Sequence, residues 1–475
     1  MPTLPKKLLV ANRAEIACRV MRTCRQLGIK TVAVYTNDDV GVSQHIEDAD
    51  ESVEISSYLS TEEILNAAAS TKAEAIHPGY GFLAENPAFS DKCAAAGIVF
   101  IGPSGDSMRA IGDKSQARSV AKAAGVPITE GVGPFTEVPE IVEAIRQLGA
   151  PAMLKAAAGG GGKGMKLVNS FEGIEEIVAS AQRETSAAFG DDRMIVERYV
   201  HPARHIEVQI MADGNRTIAL GERECSLQRR HQKMIEESPA ASISEELRQN
   251  LFDAARKVTE AVNYKNAGTC EFLVSDDGRF YFLEVNARLQ VEHPVTELCT
   301  GFDLVRMQIE LAFGAPLIQQ TDVKRFGHAI EARICAEDPY NDFLPSAGKL
   351  VLKRFPTTLR VDEGITDRVS PKYDSLIAKL ISFSPESREA ARSNLIASLK
   401  ETAIFGIATN QSYLIRLLET SEFVEGKTYT TTVDGLEIEA PTIPNEMEYA
   451  AALMLQGPRT APHSVWTKSS DWRLK

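Results

Sequence analysis

The stretch Phe280-Tyr281-Phe282-Leu283-Glu284-Val285-Asn286-Ala287-Arg288-Leu289-Gln290-Val291-Glu292-His293 alternates apolar and polar residues over most of its length. In an extended chain alternate side chains share a face. Glu284, Asn286, Arg288, Gln290 and Glu292 therefore project one way, and Leu283, Val285, Leu289 and Val291 the other. An ordinary half-buried strand would carry Lys, Thr and Ser on its wet side. This one carries carboxylates, carboxamides and a guanidinium, and such oxygens are hard ligands suited to Mg²⁺ held against nucleotide phosphates. A straight strand, at about 3.3 Å per residue, would set Glu284 and Glu292 about 26 Å apart. One small site therefore requires the chain to bend after Asn286. Glu271, on a strand expected over residues 268–274, reaches the same set across a hairpin whose turn is Asp276-Asp277-Gly278.

Two further stretches upstream point to an anionic ligand. In Lys155-Ala156-Ala157-Ala158-Gly159-Gly160-Gly161-Gly162-Lys163-Gly164-Met165 the glycines free backbone N–H groups to face phosphate. It is not a Walker A loop, since Ala157 stands where the first glycine belongs and Gly164 where Ser or Thr belongs. A flexible linker is the plain alternative. The strand-like residues on both sides favour a hairpin tip that closes over a nucleotide. The second stretch, Glu222 to Lys233, concentrates Arg223, Arg229, Arg230, His231 and Lys233. In isolation a solvated charged loop is the favoured reading, but these groups would also serve a small oxyanion such as phosphate or bicarbonate. His77, before Pro78-Gly79, reads as a structural histidine at a strand end.

Farther out the pattern is regular. Residues 7–11 read as a buried strand, 15–27 as an amphipathic helix with Gly28 at its end, 31–35 as a strand, 61–69 as a helix and 75–77 as a strand. This βαβα order predicts a parallel sheet with helices on its faces. A helix-rich stretch follows near residue 110, then strands broken by turns over 191–313. A third region beyond Gly327 mixes strands with a helix over 386–399. The tail from Ala440 holds a helix candidate over 447–455 and both tryptophans, Trp466 and Trp472.

A chain of 475 residues is too long for one ordinary core. A formal charge of −13 opposes a generic role on nucleic acid or anionic lipid, and no apolar run reaches membrane-spanning length. The seven cysteines are scattered, with no CxxC pair, so neither a disulfide framework nor a zinc site is expected. Met1 to Lys7 leaves no room for a signal peptide before the first strand, so a cytoplasmic location is the expectation.

Taken together the motifs resemble the biotin carboxylase family of ATP-grasp enzymes, from about Lys7 to about Thr432. The matching stretches are residues 11–17, 77–86, 100–103 and 112–114, the glycine loop, residues 204–209, 222–233 and 284–294, and finally 327–334, 336–339 and 373–380. The resemblance implies α/β and α+β architecture: a parallel-sheet preATP-grasp domain over 1–112, an ATP-grasp domain over 113–326 with a mobile lid near 130–200, a C-terminal domain over 327–439, and a tail over 440–475 leading to a possible further module. It implies ATP contacts from Lys114, Lys155, Gly161, Gly162, His205 and His231, an adenine hinge at Glu197, Arg198, Tyr199 and Val200, and two Mg²⁺ or Mn²⁺ ions on Glu271, Glu284 and Asn286. Lys233, Arg288, Gln290 and Val291 would bind bicarbonate, Glu292 would deprotonate it, and Arg333 would stabilise the biotin enolate.

Three departures stand out. Ala14 replaces a glycine usual in the first motif, the connection from Asp50 to Tyr58 is short, and no Ala-Met-Lys-Met biotin-attachment motif occurs. Biotin is therefore expected on a partner, a carrier protein or domain, with a carboxyltransferase subunit completing the complex and a homodimer as the assembly. Residues 16–23 and the Asp191-Asp192 region look closest to acyl-CoA carboxylase α-subunits of the 3-methylcrotonyl-CoA kind. The competing expectations are another ATP-grasp carboxylate-activating ligase and a non-catalytic scaffold.

Overall fold

The computed structural model describes residues 3–157 and 164–440. Its first element pair follows the predicted alternation. Strands Lys7–Val10, Lys30–Tyr35, Glu51–Glu54, Ala75–His77 and Val99–Phe100 form an all-parallel sheet, with Lys7–Val10 at its centre. Leu8, Leu9, Val10, Val32, Ala33 and Val34 are buried, as a parallel sheet covered on both faces requires. Helix Ala14–Gln26 covers one face with Ile16, Ala17, Val20 and Met21. Helix Thr61–Thr71 covers the other with Ile64, Ala67 and Ala68. The chain departs in opposite directions on the two sides of the central strand. That is the switch point at whose carboxyl edge α/β sheets place ligands. There Asn12 Nδ2 donates to the carbonyls of Pro78 and Tyr80, 2.7 Å each, and ties the two edge loops together.

A second sheet has eight antiparallel strands, in the order Phe280–Asn286, Lys265–Ser275, Ala203–Asp213, Thr217–Arg229, Gln232–Ser238, His328–Cys335, Leu376–Ser384 and Arg360–Glu363. It runs unbroken through the pairing of Gln232–Ser238 with His328–Cys335, across the expected join at residue 327. Helix Glu245–Glu260, capped by Ser244, packs Leu251, Ala255 and Val258 beneath it. Asp276-Asp277-Gly278 makes the predicted hairpin turn, Gly278 taking a φ of +79° and donating to Ser275.

Residues 131–198 form a smaller body of their own. Strands Gly131–Phe135, Met194–Arg198, Ala152–Ala156 and Lys166–Val168 make an antiparallel sheet. Helices Val138–Leu148 and Ile174–Phe189 close its core of Ile141, Ile145, Leu154, Val168, Ile174 and Val178. The strands flanking the glycine run pair with each other as a hairpin, Leu154 opposite Lys166. The tip itself, residues 158–163, lies outside the described residues, as do the tail helix candidate and both tryptophans. Residues through Glu437 form one compact unit, and a second begins at Ile438. None of the described helices is long and apolar enough to cross a membrane.

Candidate active site

Strand Phe280–Asn286 ends where the bend was predicted. Beyond Asn286 the chain turns through residues 287–292 and enters helix His293–Thr300, with Pro294 in its first turn. The bend swings Glu292 back to a fully buried position, where Lys233 Nζ donates to its Oε1 at 2.6 Å and Arg333 Nη2 to its Oε2 at 2.9 Å. A bulge between Glu271/Glu284 and Phe272/Phe282 adds a residue to the strand. Leu283 was expected on the apolar face with Val285. Instead it turns toward the open cavity, while Phe282 and Val285 both enter the core.

The cavity, about 1300 Å³, lies between the parallel sheet's carboxyl edge, the large antiparallel sheet and the smaller body. Lys114, Lys155, Glu197, Arg198, Tyr199, Val200, His205, His231, Lys233, Glu271, Glu284, Asn286, Arg288, Gln290, Val291 and Arg333 all line it. Of the sixteen, seven form a continuous inner network. Lys233 Nζ also reaches Glu271 Oε1 at 3.0 Å, and Asn286 Nδ2 donates to that same oxygen at 2.9 Å. Arg288 donates to Asn286 Oδ1 and Gln290 Oε1, 3.0 and 3.1 Å away. His205 Nε2 stands 3.1 Å from Glu271 Oε2.

At the other end Lys155, 5% exposed, donates to Glu197 Oε2 at 2.7 Å. Arg118 and Thr129 hold the same carboxylate, so Glu197 is an internal counter-ion. Arg198 pairs its exposed guanidinium with Glu130. Val291 directs its carbonyl to the buried Lys379 ammonium at 2.8 Å. Lys114 Nζ lies 3.4 Å from Glu284 Oε2. Gly161 and Gly162 fall outside the described residues.

Charge in this cluster is set by competition between burial and neighbours. Burial alone would raise the Glu292 carboxyl, but Lys233, Arg333 and Arg223 reverse this and hold it well below the usual carboxylate range. Glu271 is lowered the same way, by Lys233 and His205 against its burial. Burial works against the Lys233 ammonium, yet Glu207, Glu271 and Glu292 hold it well above the ordinary lysine range. Glu292 is therefore an ionised base, and Lys233 a permanent cation beside it.

Sequence reasoning gave no role to Glu207 or Glu236, and placed Arg223 only within the basic Glu222–Lys233 stretch. Glu207, fully buried, accepts from Lys233 Nζ and Arg223 Nε, both at 2.5 Å. Glu236, also buried, pairs with the same Arg333 Nη2 that reaches Glu292. The signal was present in strand Ala203–Asp213, where His205, Glu207 and Gln209 share one face as Glu284 and Asn286 do. Among the described residues, two groups converge closely enough to hold a metal ion, His205/Glu207/Glu271 and Glu207/Cys225/Glu292. The Lys233 ammonium already fills the space between Glu207, Glu271 and Glu292. The expected set differs. Glu271 and Glu284 are register partners on adjacent strands, and their oxygens face the cavity with Asn286. An all-oxygen set of that kind fits Mg²⁺.

Comparison with known proteins agrees with this geometry. The chain matches the biotin carboxylase N-terminal domain over residues 4–108 and the ATP-binding domain of the carbamoyl-phosphate synthase L chain over 113–320. It matches the biotin carboxylase C-terminal domain over 331–435. It is 43% identical over 448 residues to biotin carboxylase 1 of Bacillus subtilis, covering 91% of this chain and 99% of that protein. Over 439 residues it is 46% identical to the mitochondrial methylcrotonoyl-CoA carboxylase subunit alpha of Rattus norvegicus, 89% of this chain but only 61% of that subunit. The biotin carboxylase domain dimer of the Hydrogenobacter thermophilus 2-oxoglutarate carboxylase was solved with MgADP, ADP and bicarbonate. It matches with a TM-score of 0.88 at 40% identity, over 91% of this chain and 98% of that one.

Fold and cavity thus define the ATP-grasp class. Within that class, the chain belongs to the biotin carboxylase family.

Proposed function

We propose that the chain uses ATP and bicarbonate to carboxylate biotin carried by a partner, the first half-reaction of a biotin-dependent carboxylase. The observation that carries this reading is Glu292, a buried ionised base clamped between Lys233 and Arg333, both of which line a nucleotide-sized cavity.

Bicarbonate is a poor electrophile and must be activated. Lys233, Arg288 and Gln290 hold it, and the cationic field that acidifies Glu292 also eases loss of the bicarbonate proton. The bound anion neutralises part of that field, so Glu292 becomes more basic as it is needed. A bicarbonate oxygen attacks the γ-phosphorus, Glu292 takes the proton, and the bond to ADP breaks with its electrons on ADP. Lys114 and Lys155 stabilise the charge on the transferring group. Glu271, Glu284 and Asn286 would hold Mg²⁺ or Mn²⁺, two ions in the full complement, which would supply further neutralisation there. The carboxyphosphate so formed releases CO₂ and phosphate. The phosphate accepts the ureido proton of biotin, Arg333 stabilises the enolate, and the ureido nitrogen attacks CO₂. Met153, Leu273 and Leu283 offer an apolar wall to the adenine next to the Glu197–Val200 backbone.

Residues 1–112, 113–326 with a lid over 130–200, and 327–439 are proposed as the functional divisions, with a tail over 440–475. The partners are a biotin carrier protein or domain and a carboxyltransferase subunit. The assembly is a homodimer and the location cytoplasmic. Likeness to the methylcrotonoyl-CoA carboxylase subunit favours an acyl-CoA acceptor for the complex.

The test is ADP release with Mg²⁺, with and without bicarbonate and free biotin. Release should require bicarbonate and rise with biotin. Glu292→Gln should lower it about 100-fold or more while nucleotide binding stays within about threefold. Undiminished turnover in that variant would remove Glu292 from the reaction. Stimulation by another carboxylic acid in place of bicarbonate would favour a different ligase.

A further inference from the structure

Two turns, neither containing a glycine, face each other at the edge of the cavity. Arg230 and His231 close the hairpin between Thr217–Arg229 and Gln232–Ser238, with φ of 49° and 64°. Asp342 and Phe343, just before the short strand Leu344–Pro345, have φ of 52° and 56°. All four are left-handed, a region that a Cβ disfavours. Such conformations persist where surrounding contacts over-determine them, and they gather at binding sites.

Here the two turns over-determine each other. Asp342 Oδ1 accepts from Arg229 Nη2 at 2.5 Å, and both its oxygens accept from Arg230 Nη2 at 3.1 Å. The Arg229 guanidinium also lies 4.2 Å over the Phe343 ring. Phe343 in turn meets Tyr413 edge-on at 5.1 Å, and Tyr413 is buried on helix Gln411–Glu419. Contacts therefore run without a gap from a buried ring near the C-terminal end to the tip of a hairpin in the central region. Lys233, the common donor to Glu207, Glu271 and Glu292, lies two residues past that tip. His231, Lys233 and Phe343 all line the cavity.

An exposed ion pair alone contributes little. This carboxylate instead serves two adjacent guanidiniums, one of them also stacked on a ring, and does so where both backbones are strained.

We propose that Asp342 is a positioning residue, which with Phe343 clasps the Arg229–His231 tip and so fixes Lys233 and His231 at the reacting groups. Its kinetic consequence rests on the proposed biotin carboxylation, and its structural consequence does not. The full chain, Asp342→Asn and Asp342→Glu should be compared in two assays: the rate of tryptic cleavage after Arg229 and Arg230, and bicarbonate-dependent ADP release. In D342N those two bonds should be cut about fivefold faster. The KM for bicarbonate should rise about three- to tenfold with kcat within about twofold. D342E should move both values back toward the parent. Cleavage and KM unchanged in D342N would overturn the proposal, as would a fall in kcat and thermal midpoint with KM unmoved. A parent chain that releases no ADP in response to bicarbonate would sink the proposed function alone, and the cleavage rates would still decide the clasp.

Discussion

Lys233 places one ammonium among Glu207, Glu271 and Glu292, whose net negative charge would otherwise be costly to bury. Its basic neighbourhood was readable in the chain, but its three carboxylate partners come from three separate strands and loops. Ala14 shows the same limit. As a letter it was only a replaced glycine; in the fold it takes a φ of +52°. Gly364 presses against that turn so closely that a Cβ there would lie 2.2 Å from the Ala14 carbonyl carbon. A left-handed alanine costs about 1–2 kcal/mol, partly offset because glycine loses more entropy on folding. Ala14→Gly should therefore raise stability by about 0.5–1 kcal/mol, seen as a higher urea midpoint at unchanged slope. A lower midpoint would show that the turn is not strained.

Strand Phe280–Asn286 shows how far periodicity carries at the level of the element. The strand, its hairpin turn, its polar face and its bend all follow from the order of residues. The bulge at Leu283 does not, because an added residue in a ladder depends on the partner strand. Leu283 and Val285 were expected on one face and lie in different places, so their truncations should separate. Leu283→Ala should weaken nucleotide binding about fivefold, the loss of about 1 kcal/mol of apolar contact, with the unfolding midpoint little changed. Val285→Ala should cost about 1–3 kcal/mol of stability and leave nucleotide affinity nearly intact. Equal effects on both properties in both variants would contradict the bulge. Titrating each variant with ATP, alongside denaturant melts, makes the comparison.

Across the whole molecule the eight-stranded sheet joins regions that the chain's motifs suggest as separate, because strands Gln232–Ser238 and His328–Cys335 pair directly. Burial on this scale also contributes to the loss of stability in acid. His77 Nδ1 accepts from Gly79 N–H at 3.0 Å, and His45 Nε2 lies 3.0 Å from the Val34 carbonyl. Both rings are fully buried, which lowers each from 6.5 to about 4. Between those values the unfolded chain binds more protons. The contribution is thus complete above about pH 6.5 and is lost as pH falls through about 4. Each ring adds a slope of up to about 1.4 kcal/mol per pH unit in that window. His77→Gln should flatten the fall of denaturation midpoints across it, and an unchanged slope would assign that loss to carboxylates alone.

Near-neighbour order by itself determined the βαβα opening, the hairpins, the oxygen-rich face of residues 284–292 and the family resemblance. Turn chemistry and side-chain alternation act over a few residues and need no knowledge of the rest. Only the tertiary structure decided that Glu292 meets Lys233 across 59 residues and Arg333 across 41, that Glu207 and Glu236 stand behind them, and that Asp342 reaches the Arg229–Arg230 turn. Burial and electrostatic field depend on what lies within a few ångströms, and the folded sheet, rather than the order of residues, brings those groups together.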